Sequence, residues 1–298
     1  MIRPLGMALV LALAAMAGAQ RPTRMVQSLE PVVWIGGGRF LRGSGPVDVA
    51  LALELCTRAH RGRGDRCREE LWATLETPRR SIWISAFGID RTEVTNAAYD
   101  RCVHAGACSP ARMARSDPRV GEPEMPVSGV TFRQAEAFCR FAGGRLPTES
   151  EWERAARGGD GRPFPWGHQW NDRLANHGAA GSQPDPIDGH PYAAPVGSYP
   201  DGASPHGVLD MVGNVWEWTA DRYGGPESTD WAEGLAVDPR GPGSGGERMV
   251  RGGSWRSTAD ALRTTTRIPV PEGTSAPDLG FRCAHDRAEP RQAPSGRP

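Results

Sequence analysis

From Gly158 to Gly253 the chain is dominated by Gly, Pro, Asn, Asp and Trp, and few stretches keep a helical or a strand period. So long a segment cannot be held by hydrogen-bond ladders alone. Its backbone must be pinned by side chains, ions or cross-links. With 38 Gly and 27 Pro among 298 residues the chain is loop-rich, but there is no collagen-like period, and 10 Trp together with alternating apolar runs argue against disorder. The length allows a sizeable core, and with no internal repeat and no clean linker after residue 31, one domain is the better reading.

The 35 basic residues are all Arg and balance 35 acidic ones, so no net field draws the chain to nucleic acid or an anionic bilayer. The lack of Lys also removes Schiff-base and lysine general-base chemistry. Residues 1–19 read as a secretory signal peptide: Arg3, an apolar run from Met7 to Ala17, and cleavage expected after Ala19. That run is too short to span a bilayer comfortably, no other segment is long enough, and no Cys follows it as a lipoprotein anchor. The mature chain is expected to be secreted or periplasmic, in an oxidising compartment, with residues 20–30 a polar linker.

There the six cysteines read first as disulfides, with the pairing open. The nearest neighbours, Cys56 with Cys67 and Cys102 with Cys108, would leave Cys139 for Cys283, closing a loop of well over a hundred residues. Metal binding by Cys56, His60 and Cys67 is the competing reading, at a spacing that matches no zinc module.

Val32 to Ile35 suggests a strand, followed by a Gly36-Gly37-Gly38 turn and Arg39 to Leu41. Ser81 to Phe87 alternates as one strand, and helices are expected over Val47–Arg58, Asp65–Leu75, from Thr95 to about Val103, and from Thr131. Leu146-Pro147-Thr148-Glu149-Ser150-Glu151-Trp152 predicts a capping box between Thr148 and Glu151, with Trp152, Ala155 and Ala156 facing inward. The polar, Pro-rich residues 285–298 read as a disordered tail.

Ordered motifs then carry a resemblance. They are Phe87-Gly88-Ile89-Asp90-Arg91-Thr92-Glu93-Val94-Thr95-Asn96, Gly143-Gly144-Arg145-Leu146-Pro147-Thr148-Glu149-Ser150-Glu151-Trp152-Glu153, Asp210-Met211-Val212-Gly213-Asn214-Val215-Trp216-Glu217-Trp218, Arg251-Gly252-Gly253-Ser254-Trp255 and Leu279-Gly280-Phe281-Arg282-Cys283. In this order, across residues 31–284, they resemble the formylglycine-generating enzyme, or sulfatase-modifying factor, family. The resemblance implies a single α+β domain with sparse regular structure, related to the C-type lectin fold, and supports a Cys139–Cys283 bridge. It also implies two structural calcium sites. One would use Asn176, the His177 carbonyl, Asp188 and the His190 carbonyl; the other would use Asp210, the Gly213 and Val215 carbonyls and Glu217. Both sets offer the hard oxygens calcium needs. A polar loop and a capped turn are the plain alternatives.

Oxidase members of the family hold copper(I) with two thiolates shortly after the Gly-Gly-Ser motif and convert a sulfatase cysteine to formylglycine. Here Ser257 stands at the first position, the segment is shorter, and no cysteine lies between Cys139 and Cys283. A serine hydroxyl does not replace a copper(I) thiolate at neutral pH, so a copper site is not expected. Ser254 and Trp255 remain as groove residues, with Trp255 the candidate floor and Trp166, Trp170, Trp216 and Trp218 as further aromatics. Asp260 and Glu272 are the nearest candidates for an acid or base. The non-heme-iron sulfoxide synthases of the family are a poor match, since no two of the seven His stand at ligand spacing. Cys108-Ser109-Pro110-Ala111-Arg112 matches the core that sulfatases present for modification, although Cys102 is a ready disulfide partner. The expected function is binding of a peptide, protein or glycan in the family's substrate groove. The alternative is an oxidoreductase, either an atypical formylglycine-generating oxidase or a cysteine-independent periplasmic enzyme like the family members of siderophore chromophore maturation.

Overall fold

The computed structural model describes residues 31–60, 67, 75–113, 116–180, 183–224 and 236–287. The signal peptide and linker readings lie outside these residues, as does most of the helix expected over 65–75. Among the described residues no helix is long and apolar enough to cross a membrane.

The elements are mixed and short. Strands β1 (Val32–Ile35) and β2 (Gly38–Arg42) precede helix α1 (Pro46–Ala59); β3 (Arg80–Ile84) and β4 (Phe87–Asp90) precede α2 (Asn96–His104), α3 (Phe132–Phe141) and α4 (Glu149–Arg157). Then come β5 (Gly178–Ala179), β6 (Gln183–Pro184), β7 (Trp216–Arg222), β8 (Ala236–Val237), β9 (Glu247–Arg251), β10 (Arg267–Pro271), β11 (Leu279–Gly280) and β12 (Ala284–Asp286). They make sheets of order β1-β4-β12, β10-β9-β7-β11 and β2-β3-β8, with β5-β6 a small ladder.

Two sequence readings change here. Ser81 to Phe87 is two strands, because the chain leaves one sheet at Ser85-Ala86 and enters another at Phe87. The Gly36-Gly37 turn makes the same crossing alongside it, so β1 pairs with β4 while β2 pairs with β3. A Cβ on Gly37 would sit 3.1 Å from the Ala86 nitrogen, which is why the two crossings can run side by side. The double crossing wraps Ile35, Phe40, Ile82, Ile84, Phe87 and Ile89 around Trp152 as one apolar cluster. The tail also starts later than residue 285: β12 pairs with β4 through Asp286, and His285 is buried with its Nε2 2.7 Å from Asp90. Residues beyond 287 are outside those described.

Helix ends follow their sequence signals. Thr148 accepts the Glu151 amide at 3.1 Å while Glu151 accepts the Thr148 amide at 2.8 Å. Thr131 and Gln134 close the same box at α3, while at α2 Thr95 caps one way, accepting the Ala98 amide. All six cysteines are bonded, as Cys56–Cys67, Cys102–Cys108 and Cys139–Cys283, so the zinc reading of Cys56, His60 and Cys67 falls. The last bridge joins α3 to the strand region before β12 across 144 residues, inside a cluster where Phe138 packs on Tyr99 and Phe281. The sulfatase-like Cys108 motif is a structural turn. Its cysteine is bonded to Cys102, and the Ser109 carbonyl accepts the Tyr99 hydroxyl at 2.9 Å.

Candidate functional site

Three loop segments, each unreadable as regular structure, are tied to one another by main-chain hydrogen bonds. The Asn214 amide donates to the Asn176 carbonyl at 3.1 Å, the Trp255 amide to the Asn214 carbonyl at 2.8 Å, and the Gly213 amide to the Gly252 carbonyl at 2.9 Å. Gly213 is required for that approach: its φ is +87°, and a Cβ there would lie 2.1 Å from the Asn176 oxygen. The Asn176, Asp210–Glu217 and Arg251–Trp255 motifs thus build one surface.

At the end of β9 the chain turns sharply through Gly252 and Gly253, whose φ values are +94° and +75°. The turn brings Ser257 back to Ser254: the Ser254 amide donates to the Ser257 Oγ at 3.0 Å, and the two Oγ atoms are 3.5 Å apart. Ser254 Oγ donates to Asp278 at 2.9 Å, a partner from the segment before β11. Ser257, which stands where the resemblance puts the first thiolate, therefore sits against the motif's own Ser254, and no cysteine sulfur is free to replace it. Arg251 clamps the base of the turn by donating to the carbonyls of Thr264 at 2.9 Å and Thr265 at 3.0 Å.

Beside Ser257 lies a cleft of about 540 Å3, walled by Leu55 and Arg58 of α1, by Trp170, Asp172 and His177, and by Thr258. The Gly178 amide donates to the Ser257 carbonyl at 2.9 Å, which joins the cleft wall to the serine turn. His177 Nδ1 is 3.2 Å from the Gly178 carbonyl, and its Nε2 lies 3.9 Å from Asp172. The Trp170 indole donates to Asp172 and meets the His177 ring edge-on at 5.4 Å. An aromatic face, carboxylates, an imidazole and a hydroxyl in one recess can hold a polar ligand by stacking and hydrogen bonds.

Trp255 is not the floor of an open groove. Its ring is 3% exposed, covered edge-on by Tyr192 at 5.4 Å and flanked by the Arg256 guanidinium at 5.6 Å. The surface there is Tyr192 and Arg256. Trp218 is fully buried with its indole donating to the Val130 carbonyl, and Trp166 packs on Phe164, leaving Trp170 as the tryptophan that lines the cleft. Asp260 accepts the Thr258 hydroxyl at 2.6 Å, and Glu272 is drawn away by Arg248, Arg222 and Arg133, whose charges hold its carboxyl below the ordinary range despite burial. Neither is placed to move a proton at the serine turn.

The two calcium sets differ. Asn176 is buried with its Oδ1 lacking a hydrogen-bond partner, and its Nδ2 donates to the carbonyls of His190 at 3.1 Å and Tyr192 at 2.9 Å. Asp188 reaches the same turn, accepting the amides of His177 at 2.7 Å and His190 at 2.8 Å. An orphaned hard oxygen beside a carboxylate fits a calcium donor set. In the second set Glu217 does not fit its assigned role. Arg282 donates to both its oxygens at 2.7 Å, and the Trp152 indole adds a bond at 2.8 Å. Asp210 accepts the Gly197 amide at 2.6 Å. Glu93, fully buried next to these groups, is pushed well above the carboxylate range by burial and then by the Asp210 charge, with Arg282 opposing. Among the described residues no three His, Cys, Asp or Glu side chains gather as a metal cluster.

Asp278, Tyr192, Asp172 and the α1 wall carry no signal in the sequence. Only the fold brings them to Ser254 and Ser257.

A loop-rich α+β domain with these motifs around a Gly-Gly-Ser turn defines the class. The sulfatase-modifying factor enzyme 1-like domain matches residues 18–287, and the chain belongs to that family. A formylglycine-generating enzyme of Streptomyces coelicolor is 35% identical over 281 residues, covering 75% of this chain and 85% of that protein. A Bos taurus protein named inactive C-alpha-formylglycine-generating enzyme 2 is 37% identical over 175 residues, covering 56% of this chain and 52% of that one. Among solved structures, PvdO from Pseudomonas aeruginosa superposes with a TM-score of 0.65 at 21% identity, covering 87% of this chain and 95% of that one. CarF gives 0.53 at 20%, covering 86% and 98%. Both share the fold.

Proposed function

We propose that this protein is a binding member of the family, without the copper oxidase chemistry, and that it takes a peptide, protein or glycan in the cleft between α1 and the Ser254–Ser257 turn. The observation that carries this is the state of the sulfurs: all six cysteines are in disulfides, and the turn offers two hydroxyls and a carboxylate instead of thiolates. A relative already named inactive supports the reading. Three disulfides support a secreted or periplasmic location. Calcium at Asn176, His177, Asp188 and His190 would brace the far wall of the cleft by neutralising Asp188 and satisfying Asn176.

Peptide and glycan arrays probed with the full chain test the reading. Binders should compete with one another and lose affinity in Asp172→Ala and Trp170→Ala, two substitutions that alter the cleft wall. Ligands unaffected by either substitution would place recognition elsewhere and overturn it.

The second reading, catalysis without cysteine, rests on the Ser254–Asp278 hydrogen bond, which polarises a buried hydroxyl. It requires turnover that disappears in Asp278→Asn while ligand affinity stays.

A further inference from the structure

The chain has no net formal charge, yet its arginines are unevenly placed. A second cleft, of about 320 Å3, opens between α3, the approach to α4 and strands β7 and β9. It shares no lining residue with the cleft at Ser257. Four guanidinium groups, from Arg140, Arg145, Arg240 and Arg248, meet there with one lining carboxylate, Glu136, and with the Thr148 side chain at the rim.

Among the described residues, fewer carboxylates than guanidiniums pair around it. Arg140 pairs with Glu136 at 2.8 Å, and Arg145 with Glu151 at 2.6 Å and Asp286 at 2.8 Å. Glu272 is shared among Arg248 at 2.8 Å, Arg222 at 3.1 Å and Arg133 at 3.2 Å. Arg240 is exposed and has no carboxylate or hydrogen-bond acceptor among the described residues. Among the described residues, five guanidiniums thus share four carboxylates, and Arg240 adds a sixth charge. Arg248 is fixed in place: it lies 4.1 Å over the Phe132 ring and donates to the Ala220 carbonyl. Burial lowers its pKa, with Glu272 opposing and the Arg222 charge adding to the lowering, which marks a cation held without full compensation.

We propose that this cleft binds a tetrahedral oxyanion, a phosphate or sulfate group, between Arg248 and the exposed Arg240, with Arg140 at the entrance. Planar guanidinium forks lining one recess match the oxygen edges of such a group, and a neutral ligand would leave their charge unmet. The recess admits one such group and part of the molecule bearing it. A nucleic-acid or bilayer surface would instead need a broad basic face rather than a recess of this size.

The test is calorimetric titration of the full chain with inorganic phosphate and, separately, inorganic sulfate, at ionic strength held constant with sodium chloride. Saturable one-site binding is expected for at least one anion, and the tighter arm assigns the source as phosphate or sulfate. Arg240→Ala and Arg140→Ala alter exposed side chains, and circular dichroism with melting confirms the fold of each. Arg240→Ala should weaken binding about tenfold, and the double variant should abolish it. No saturable heat with either anion, or equal affinity in wild type and variants, overturns the proposal.

Discussion

Glu153 on α4 and Arg251 at the end of β9 meet at 2.7 Å with both side chains buried, and the same guanidinium ties both stems of the loop that carries Ser254 and Ser257. Glu153 also accepts the Gly43 amide at 2.7 Å and Arg157 at 3.0 Å. A single carboxylate on the capping-box helix thereby connects β2, α4 and the serine turn. Desolvation makes such a pair a poor source of net stability, but losing one partner leaves the other buried charge with only its weaker neighbour, Arg157 for Glu153 and Glu149 for Arg251.

Arg251→Leu or Glu153→Gln alone is expected to cost about 3–5 kcal/mol in urea unfolding. The double variant should cost clearly less than the sum, since neither charge is then stranded. Additive losses would show that the pair is not energetically coupled.

Asp221 lies in the same buried region, with its Oδ2 accepting the Glu149 amide at 2.8 Å. Burial first, and then the Glu149 charge, raise its pKa from 3.8 to about 7. A carboxyl whose folded pKa exceeds its unfolded value binds its proton more tightly in the native state. It therefore stabilises fully below about pH 4, and that stability is lost as the pH rises through about 7. At about 1.4 kcal/mol per pH unit, this group's loss reaches about 4 kcal/mol. Asp221→Asn, which mimics the protonated form, should flatten the pH dependence of unfolding between those limits; an unchanged slope would assign it to other groups.

Replacing Cys139 and Cys283 together by Ala should destabilise far more than replacing Cys102 and Cys108. The closed loops span 144 and 6 residues. Chain entropy alone gives about 5 against about 2 kcal/mol, as upper estimates. Comparable losses would mean that native-state packing, not loop length, sets the difference.

Chelator treatment should lower the melting temperature by several degrees, and added calcium should restore it. The shift should vanish in Asp188→Asn and persist in Asp210→Asn, because Asp188 has the orphaned Asn176 oxygen beside it while the Asp210 turn already has the Arg282 guanidinium on Glu217. A shift that vanishes only in Asp210→Asn would reverse that assignment.

The parts legible in the sequence are those that local chemistry encodes. Thr148 with Glu151 and Thr131 with Gln134 announce a helix start because the capping box closes within three residues, and Thr95 does so by accepting the Ala98 amide. The disulfides followed from proximity for two pairs and from family resemblance for the third. What stayed hidden depends on distant contacts. The alternation from Ser81 to Phe87 conceals a change of sheet, because inward residues continue on both sides of the break. Trp255 reads as a groove residue from its place beside Ser254, but Tyr192, far away in sequence, covers it. Glu217 reads as a free carboxylate within a ligand-like turn, while its partner Arg282 arrives from the far end of the domain. The gathering of Arg140, Arg145, Arg240 and Arg248 in one recess is likewise invisible in a composition that sums to zero.

The most direct test of the central claim is to incubate the reduced-copper-loaded, oxygen-saturated protein with a Cys-x-Pro-x-Arg peptide and follow the cysteine by mass spectrometry. With hydroxyls at Ser254 and Ser257 and every cysteine in a disulfide, the peptide cysteine should remain unmodified. Copper-dependent formation of formylglycine, persisting in Ser257→Ala, would contradict the account.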